Sequence, residues 1–424
     1  MSGRPLFRRI SEDPRVLNAA WEEVRRNAKS LSKGVDDKTL SAYAAHSQKN
    51  LTRLRLSLKN GSFKFSNLRG AALLKPNGKY RPLKVATIED RVVQKAIELL
   101  IRKPLNDAYN LFNNPVSYAF IKTEDIDEYS PEDPQTFKGV RGAVEKLRAY
   151  YSEDYTWCLR ADIIDFFGNV DVDHLLNEFI YPALAPDDSL NDLIKAAFRQ
   201  EVEVDKSVRE LLRSQGEEQF EKFLKNNGLP QGSILSPMFS NVYLAQFDEA
   251  VSKEGLIVIR YVDDMIIVTK TKKQAERAHE QIVTKLGELN LTIHPLGSSK
   301  TAIQETKDVT FLGIRLKNGN FYPSEQAYQK LIDKLSKYPR YKTFLRNIQS
   351  LRMLSQSWAS TYYFCSPDDE SYKELNRSLS RAVQKTLHKA RLASTVKLGD
   401  RELRRLGIYQ FDDAVATYRQ KHKF

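Results

Sequence analysis

Two adjacent aspartates, Asp263 and Asp264, stand where two short apolar, β-branched runs meet in IVIRYVDDMIIV, residues 257–268. Runs of that length around a polar pair predict a β-hairpin with both carboxylates at or beside its tip. Carboxylates forced together repel unless something positive sits between them, so a divalent cation is one reading. A solvated Asp-Asp turn is the other, and this stretch alone does not choose between them. A third carboxylate comes from TWCLRADIIDFFGNVD: Cys158 to Ile164 is apolar apart from Arg160 and Asp162, which predicts a buried strand with Asp162 near its end. Asp165 follows three residues later, and then Phe166 and Phe167, aromatics of a kind that usually fill a core.

The rest of the chain must hold these groups in place. At 424 residues, 41% hydrophobic and 29% charged, it is long enough for two or three packed domains and lacks a disordered composition. No apolar run approaches a membrane span and MSGRPLFRRISEDPR lacks a signal-peptide core, so the expected compartment is the cytoplasm, with no membrane partner. Two cysteines, Cys158 and Cys365, form neither a disulfide framework nor a zinc cluster. The net charge of +13 is unevenly spread: residues 1–110 carry 23 Lys/Arg against 10 Asp/Glu, residues 111–320 carry 24 against 34, and residues 321–424 carry 20 against 10. Basic flanks suit a polyanion, or are simply solvated; an acidic centre between them suits cations brought to a phosphate chain.

In chain order, residues 14–60 predict helices, the second with Arg53, Arg55 and Lys59 among its leucines. Pro76-Asn77-Gly78 predicts a hairpin turn carrying Lys75, Lys79 and Arg81, followed by a helix from about Ile88. Residues 122–137 are acidic, contain two prolines and predict a surface loop; residues 139–151 return to a helical pattern. A polar helical pattern covers about Asp188 to Asn226. GLPQGSILSP then predicts a loop, with Ser236 as a hydroxyl N-cap and a helix from Pro237 to about Ser252. Gln231 in that loop precedes a helix N-terminus, a place suited to an anionic ligand. A helix of about Lys273–Leu289 follows the aspartates, then LNLTIHPLGSSKTAI with Lys300, and a strand-like TFLGIRL around Gly313.

In order and spacing, RADIIDFF, GLPQGSILSP, YVDD, the segment ending in Lys300 and FLGI resemble the palm motifs of reverse transcriptases, and KPNGKYRPL resembles their fingers motif. The stretch from Thr87 to Phe120 resembles the bacterial and group II intron branch, and Trp358 with Tyr362-Tyr363 resembles the thumb of intron-encoded enzymes. The resemblance implies an α+β right-hand polymerase: fingers over 1–155, an antiparallel-sheet palm over 156–320 and a basic helical thumb over 321–424. It implies RNA-directed DNA synthesis by two Mg2+ ions, with Mn2+ as a substitute, held by Asp162, Asp263, Asp264 and the Ile163 carbonyl. Lys75 and Arg81 would hold the triphosphate and Gln231 would line the nucleotide pocket. Phe167 matches the residue that excludes a ribose 2′-hydroxyl, Lys300 the proton donor to pyrophosphate, and Leu312-Gly313 the primer grip. The implied partners are an RNA template, a primer strand and dNTPs.

Departures from the family pattern shape the expected role. Ser117-Tyr118-Ala119-Phe120 leads into the acidic stretch, where intron-encoded enzymes usually carry a glycine- and arginine-containing segment. With two isolated cysteines and little chain beyond the thumb, a Cys-rich endonuclease is not expected. The QGxxxSP loop departs from diversity-generating enzymes, and the VTG signature of retron enzymes is missing. The expectation is a stand-alone bacterial antiphage-defence enzyme working with a structured non-coding RNA. The alternatives are a maturase-like RNA-binding splicing factor and a template-independent polymerase.

Overall fold

The β-branched runs become strands and the amphipathic runs become helices in the computed structural model, which describes residues 5–27, 33–74, 78–126, 130, 133, 136–225, 227–366, 369–392 and 399–421. The strands are β1 (Leu68–Leu74), β2 (Tyr80–Val85), β3 (Trp157–Asp162), β4 (Val202–Glu203), β5 (Ile257–Tyr261), β6 (Asp264–Thr269), β7 (Ala302–Glu305), β8 (Asp308–Phe311), β9 (Ile314–Lys317) and β10 (Asn320–Pro323). The chain divides into two compact units, the first comprising Met1–Gly139, Leu159–Ile267 and Lys273–Ile303, the second Val140–Cys158, Val268–Lys272 and Gln304–Phe424.

The first unit contains most of a four-stranded sheet in the order β5-β6-β3-β7. Leu159, Ala161, Met265 and Ile267 from its central strands are buried in one cluster with Ala275, Ala278, Ile282 and Leu286. The last four recur at helical spacing on the helix Lys272–Glu288, so one stripe of that helix is the buried face. Each large aliphatic side chain buried in this way contributes about 1.5–3 kcal/mol. The same cluster takes in the helix Ile88–Tyr109, whose start is set by the Thr87 hydroxyl accepting from the Asp90 amide at 3.2 Å, with Glu89 and Asp90 in the first turn.

A second sheet, β2-β1-β4, forms the predicted hairpin around residue 78, with Leu73 opposite Arg81. Lys75, Pro76 and Asn77 lie outside the described residues. The continuous helical pattern expected for 188–226 is corrected: helices Asp188–Phe198, Lys206–Arg213 and Glu217–Lys225 are separated by turns and by β4, which pairs in parallel with β1 through Leu68 and Val202. Leu212, Phe220 and Phe223 are buried there, so the region has its own small core. The helix expected over 237–252 is broken at Leu244 into Ser236–Tyr243 and Ala245–Lys253. Ser236 is not its N-cap: it lies within the helix and its hydroxyl donates to the Pro230 carbonyl at 2.9 Å.

The second unit has a helical core of Tyr328, Leu331, Leu351, Trp358, Leu375, Leu379 and Phe411 and a three-stranded sheet, β10-β9-β8. The strand-like TFLGIRL is corrected to a hairpin: β8 and β9 pair antiparallel, and Leu312-Gly313 between them has φ of 52° and 80°. Two residues with positive φ are what a tight two-residue hairpin demands, and Gly313 meets that demand without strain.

Candidate active site

The hairpin turn is Val262-Asp263, and Asp264 is the first residue of β6. Because β6 lies beside β3 in the sheet, Asp162 at the end of β3 is brought to the same edge. The main chain ties the two together: the Ile163 amide donates to the Asp263 carbonyl at 3.0 Å. On its other side this edge is fixed by the Ile164 amide donating to the Thr292 carbonyl at 2.8 Å, and by the His294 amide donating to the Asp162 carbonyl at 3.0 Å.

The three carboxylates differ in their company. Asp162 is buried and held by two cations or potential cations, Lys300 Nζ at 2.6 Å from Oδ2 and His294 Nε2 at 3.3 Å from Oδ1. Burial raises the Asp263 carboxyl above its ordinary value, the negative charge of Asp162 adds to this, and Lys300 and Arg81 only partly oppose it. Asp264 is pushed up to about 7, by burial first and then by Asp162 and Asp263, against Arg160 and Lys300. Two oxygen-donor side chains whose ionised forms are penalised by desolvation and mutual repulsion gain most from a hard cation. The donor set is all oxygen, which fits magnesium. Among the described residues no three His, Cys, Asp or Glu side chains form a group that could hold a metal ion on their own.

The parts expected to contact a nucleotide are joined by main-chain contacts. The Lys84 amide on β2 donates to the Gln231 carbonyl at 2.9 Å. Gly232, with φ +127°, approaches so closely that a Cβ there would sit 2.4 Å from the Lys84 oxygen. On the other side the Leu229 amide donates to the Phe167 carbonyl at 2.7 Å. The loop bearing Gln231 is therefore sandwiched between the strand bearing Arg81 and the short helix Phe166–Asn169 that bears Phe167. Phe167 is partly buried and meets the buried Phe166 edge-on at 5.5 Å. Gln94 anchors the loop to the helix Ile88–Tyr109, its Oε1 accepting from Ser233 Oγ at 3.3 Å and the Ile234 amide at 3.2 Å. Leu312-Gly313 lies in the second compact unit, and Lys75 lies outside the described residues.

Sequence reading missed His294 and Gln94. An isolated histidine in LTIHP and a glutamine in an amphipathic helix carry no local pattern, and only the folded chain supplies their partners. Among the described residues, no helix is long and apolar enough to cross a membrane.

A sheet edge carrying three aspartates, beside a loop clamped between two further elements, has the layout of the palm of a right-hand polymerase. Residues 73–316 match the profile described as reverse transcriptase (RNA-dependent DNA polymerase), and the chain belongs to this family. Group II intron-encoded protein LtrA of Lactococcus lactis subsp. cremoris is 23% identical over 239 residues, 56% of this chain and 34% of LtrA. This chain thus spans about a third of that relative's length. Protein YkfC of Escherichia coli (strain K12) is 25% identical over 350 residues, 73% of this chain and 82% of YkfC. Among solved structures, a partial Cas6-RT-Cas1--Cas2 complex is 21% identical, with a TM-score of 0.36 over 67% of this chain and 42% of that one.

Proposed function

We propose that the chain polymerises DNA on an RNA template, with Asp162, Asp263, Asp264 and the Ile163 carbonyl holding two magnesium ions, or manganese in their place. The observation that carries this reading is the pair of desolvated, mutually repelling carboxylates beside a third held by Lys300. The ions, when bound, supply activation of the primer 3′-hydroxyl and charge stabilisation at the leaving pyrophosphate. Arg81 on β2, together with Lys75, holds the triphosphate, and Gln231 lines the nucleotide pocket. Phe167 bars a 2′-hydroxyl. Lys300 exchanges its contact with Asp162 for the pyrophosphate and delivers a proton there. Leu312-Gly313 steadies the primer end. In this reading residues 1–155 act as fingers, 156–320 as palm and 321–424 as thumb. The helix Asp369–Lys389 exposes Arg377, Arg381, Lys385 and Lys389 at every fourth position, a basic ridge suited to a phosphate backbone.

Primer extension on an RNA template with magnesium tests the assignment: activity surviving Asp263→Ala plus Asp264→Ala sinks it, and equal synthesis without any template would favour the template-independent alternative. Phe167→Ala raises ribonucleotide incorporation about tenfold if the ring is the gate. The finer reading, a stand-alone defence enzyme in the cytoplasm working with a structured non-coding RNA, rests on the acidic segment after Phe120 in place of a glycine- and arginine-containing one. Sequencing the nucleic acid that co-purifies decides it, a unique structured RNA supporting the reading and random cellular RNA opposing it. Similarity to LtrA favours a second reading, a maturase-like splicing factor. A splicing assay with the three aspartates mutated separates the two.

A further inference from the structure

Arg260, the fourth residue of β5, is fully buried, and a buried guanidinium is costly unless all its donors are used. Its Nε donates to Asp248 Oδ1 at 2.8 Å and its Nη2 to Asp248 Oδ2, a two-point pair with an equally buried carboxylate on the helix Ala245–Lys253. The third arm turns towards the aspartates: Nη1 donates to the Val262 carbonyl at 3.1 Å and lies 3.4 Å from Asn241 Oδ1. Asn114 Nδ2 donates to Asp248 at 2.9 Å, and Asn241 Nδ2 donates to the Ala119 carbonyl at 2.9 Å. The main chain of Arg260 is bonded in both directions to residues 116–118, which cover this edge of the sheet.

Val262 is where this network acts. Its φ is +63°, a left-handed conformation that a β-branched side chain disfavours. Such a turn persists only when its surroundings hold it. Two consecutive carbonyls are anchored, that of Val262 by the Arg260 side chain and that of Asp263 by the Ile163 amide. The Arg260 side chain donates directly to the main chain of this turn.

We propose that Arg260 is a positioning residue for the polymerase reaction: braced by Asp248, it holds the Val262-Asp263 turn in its strained shape and so aims the Asp263 and Asp264 carboxylates. This inference rests on the polymerase reading for its kinetic consequence, but not for its structural one.

The test compares Arg260→Lys with the double variant Arg260→Met plus Asp248→Leu, which removes the pair without leaving a buried charge unmatched. Three quantities are read: the denaturation midpoint, amide hydrogen exchange of residues 261–265, and kcat and KM for dNTP in primer extension. The double variant keeps a midpoint close to that of the unmodified protein, while turn exchange speeds up and kcat falls, each about tenfold or more, with KM for dNTP changed less than about twofold. Arg260→Lys keeps the charge but not the three-armed geometry, so it folds and shows the same loss. A folded double variant, or Arg260→Lys, with unmodified turn exchange and kcat overturns the proposal. An unmodified protein that lacks polymerase activity would sink the polymerase reading instead, and the exchange measurement would still decide whether Arg260 holds the turn.

Discussion

Two sets of charge flank Tyr261, one fully buried and one half-buried, and they are built on opposite principles. On one side Arg260 and Asp248 neutralise each other, with hydrogen bonds to Asn114, Asn241 and the Val262 carbonyl. On the other, burial first and then the negative charge of Asp162 drive the Asp263 and Asp264 carboxyls upward. Asp162 stands between these extremes, bonded to the half-exposed Lys300 and 3.3 Å from the His294 imidazole. A buried charge with its own counter-charge is a finished part of the fold. One without it takes up a proton or is matched by a cation, and that contrast separates the Arg260 end of the hairpin from its carboxylate end.

The contrast is broken most severely at the carboxylate end: Asp263→Ala plus Asp264→Ala lowers primer-extension kcat by about a thousandfold or more, with the midpoint of unfolding unchanged or raised. At the Arg260 end the sign reverses, because Arg260→Ala strands Asp248 and costs about 3–5 kcal/mol of stability, read from denaturant unfolding. Lys300→Met sharpens the intermediate case, lowering kcat about a hundredfold at saturating dNTP while KM changes little. The smallest effect is on pH dependence. Since Asp264 rises from 3.8 to about 7 in the folded chain, the metal-free protein binds its proton more tightly folded than unfolded and loses stability as pH rises through that interval. Asp264→Asn removes this loss, so that its stability falls less than that of the unmodified protein between about pH 4 and pH 8 in the presence of a chelator, measured by denaturant unfolding.

Much of the carboxylate end is legible in the sequence because its signals are local. Short β-branched runs define β5 and β6, and an apolar run ending in Asp162 defines β3. The Arg260 end is not legible, since an arginine inside an apolar strand looks like a solvated residue until Asp248 and Asn241 are folded against it. The broken helix at Leu244 and the misjudged Ser236 have the same origin: the Ser236 hydroxyl is drawn to Pro230 by the loop before it, where capping rules foresaw a bond to its own helix. The two-residue strand β4 has no local signature at all, its pairing being set by β1 more than a hundred positions earlier.

That pairing has a consequence for the order of events during synthesis. The β1–β2 hairpin closes through neighbours in sequence as soon as it emerges, but its third strand at Val202 is specified only after the aspartate-bearing strand β3 has been made. At about 5–20 residues per second, on the order of ten seconds separate the two halves of this sheet. Throughout that interval the Leu68–Arg69 end of β1, the part that β4 later pairs with, is open to whatever strand is nearest. The nascent chain is therefore open to mispairing at that end of β1 until β4 has emerged, and the speed of synthesis between the two strands bears on the yield of folded protein.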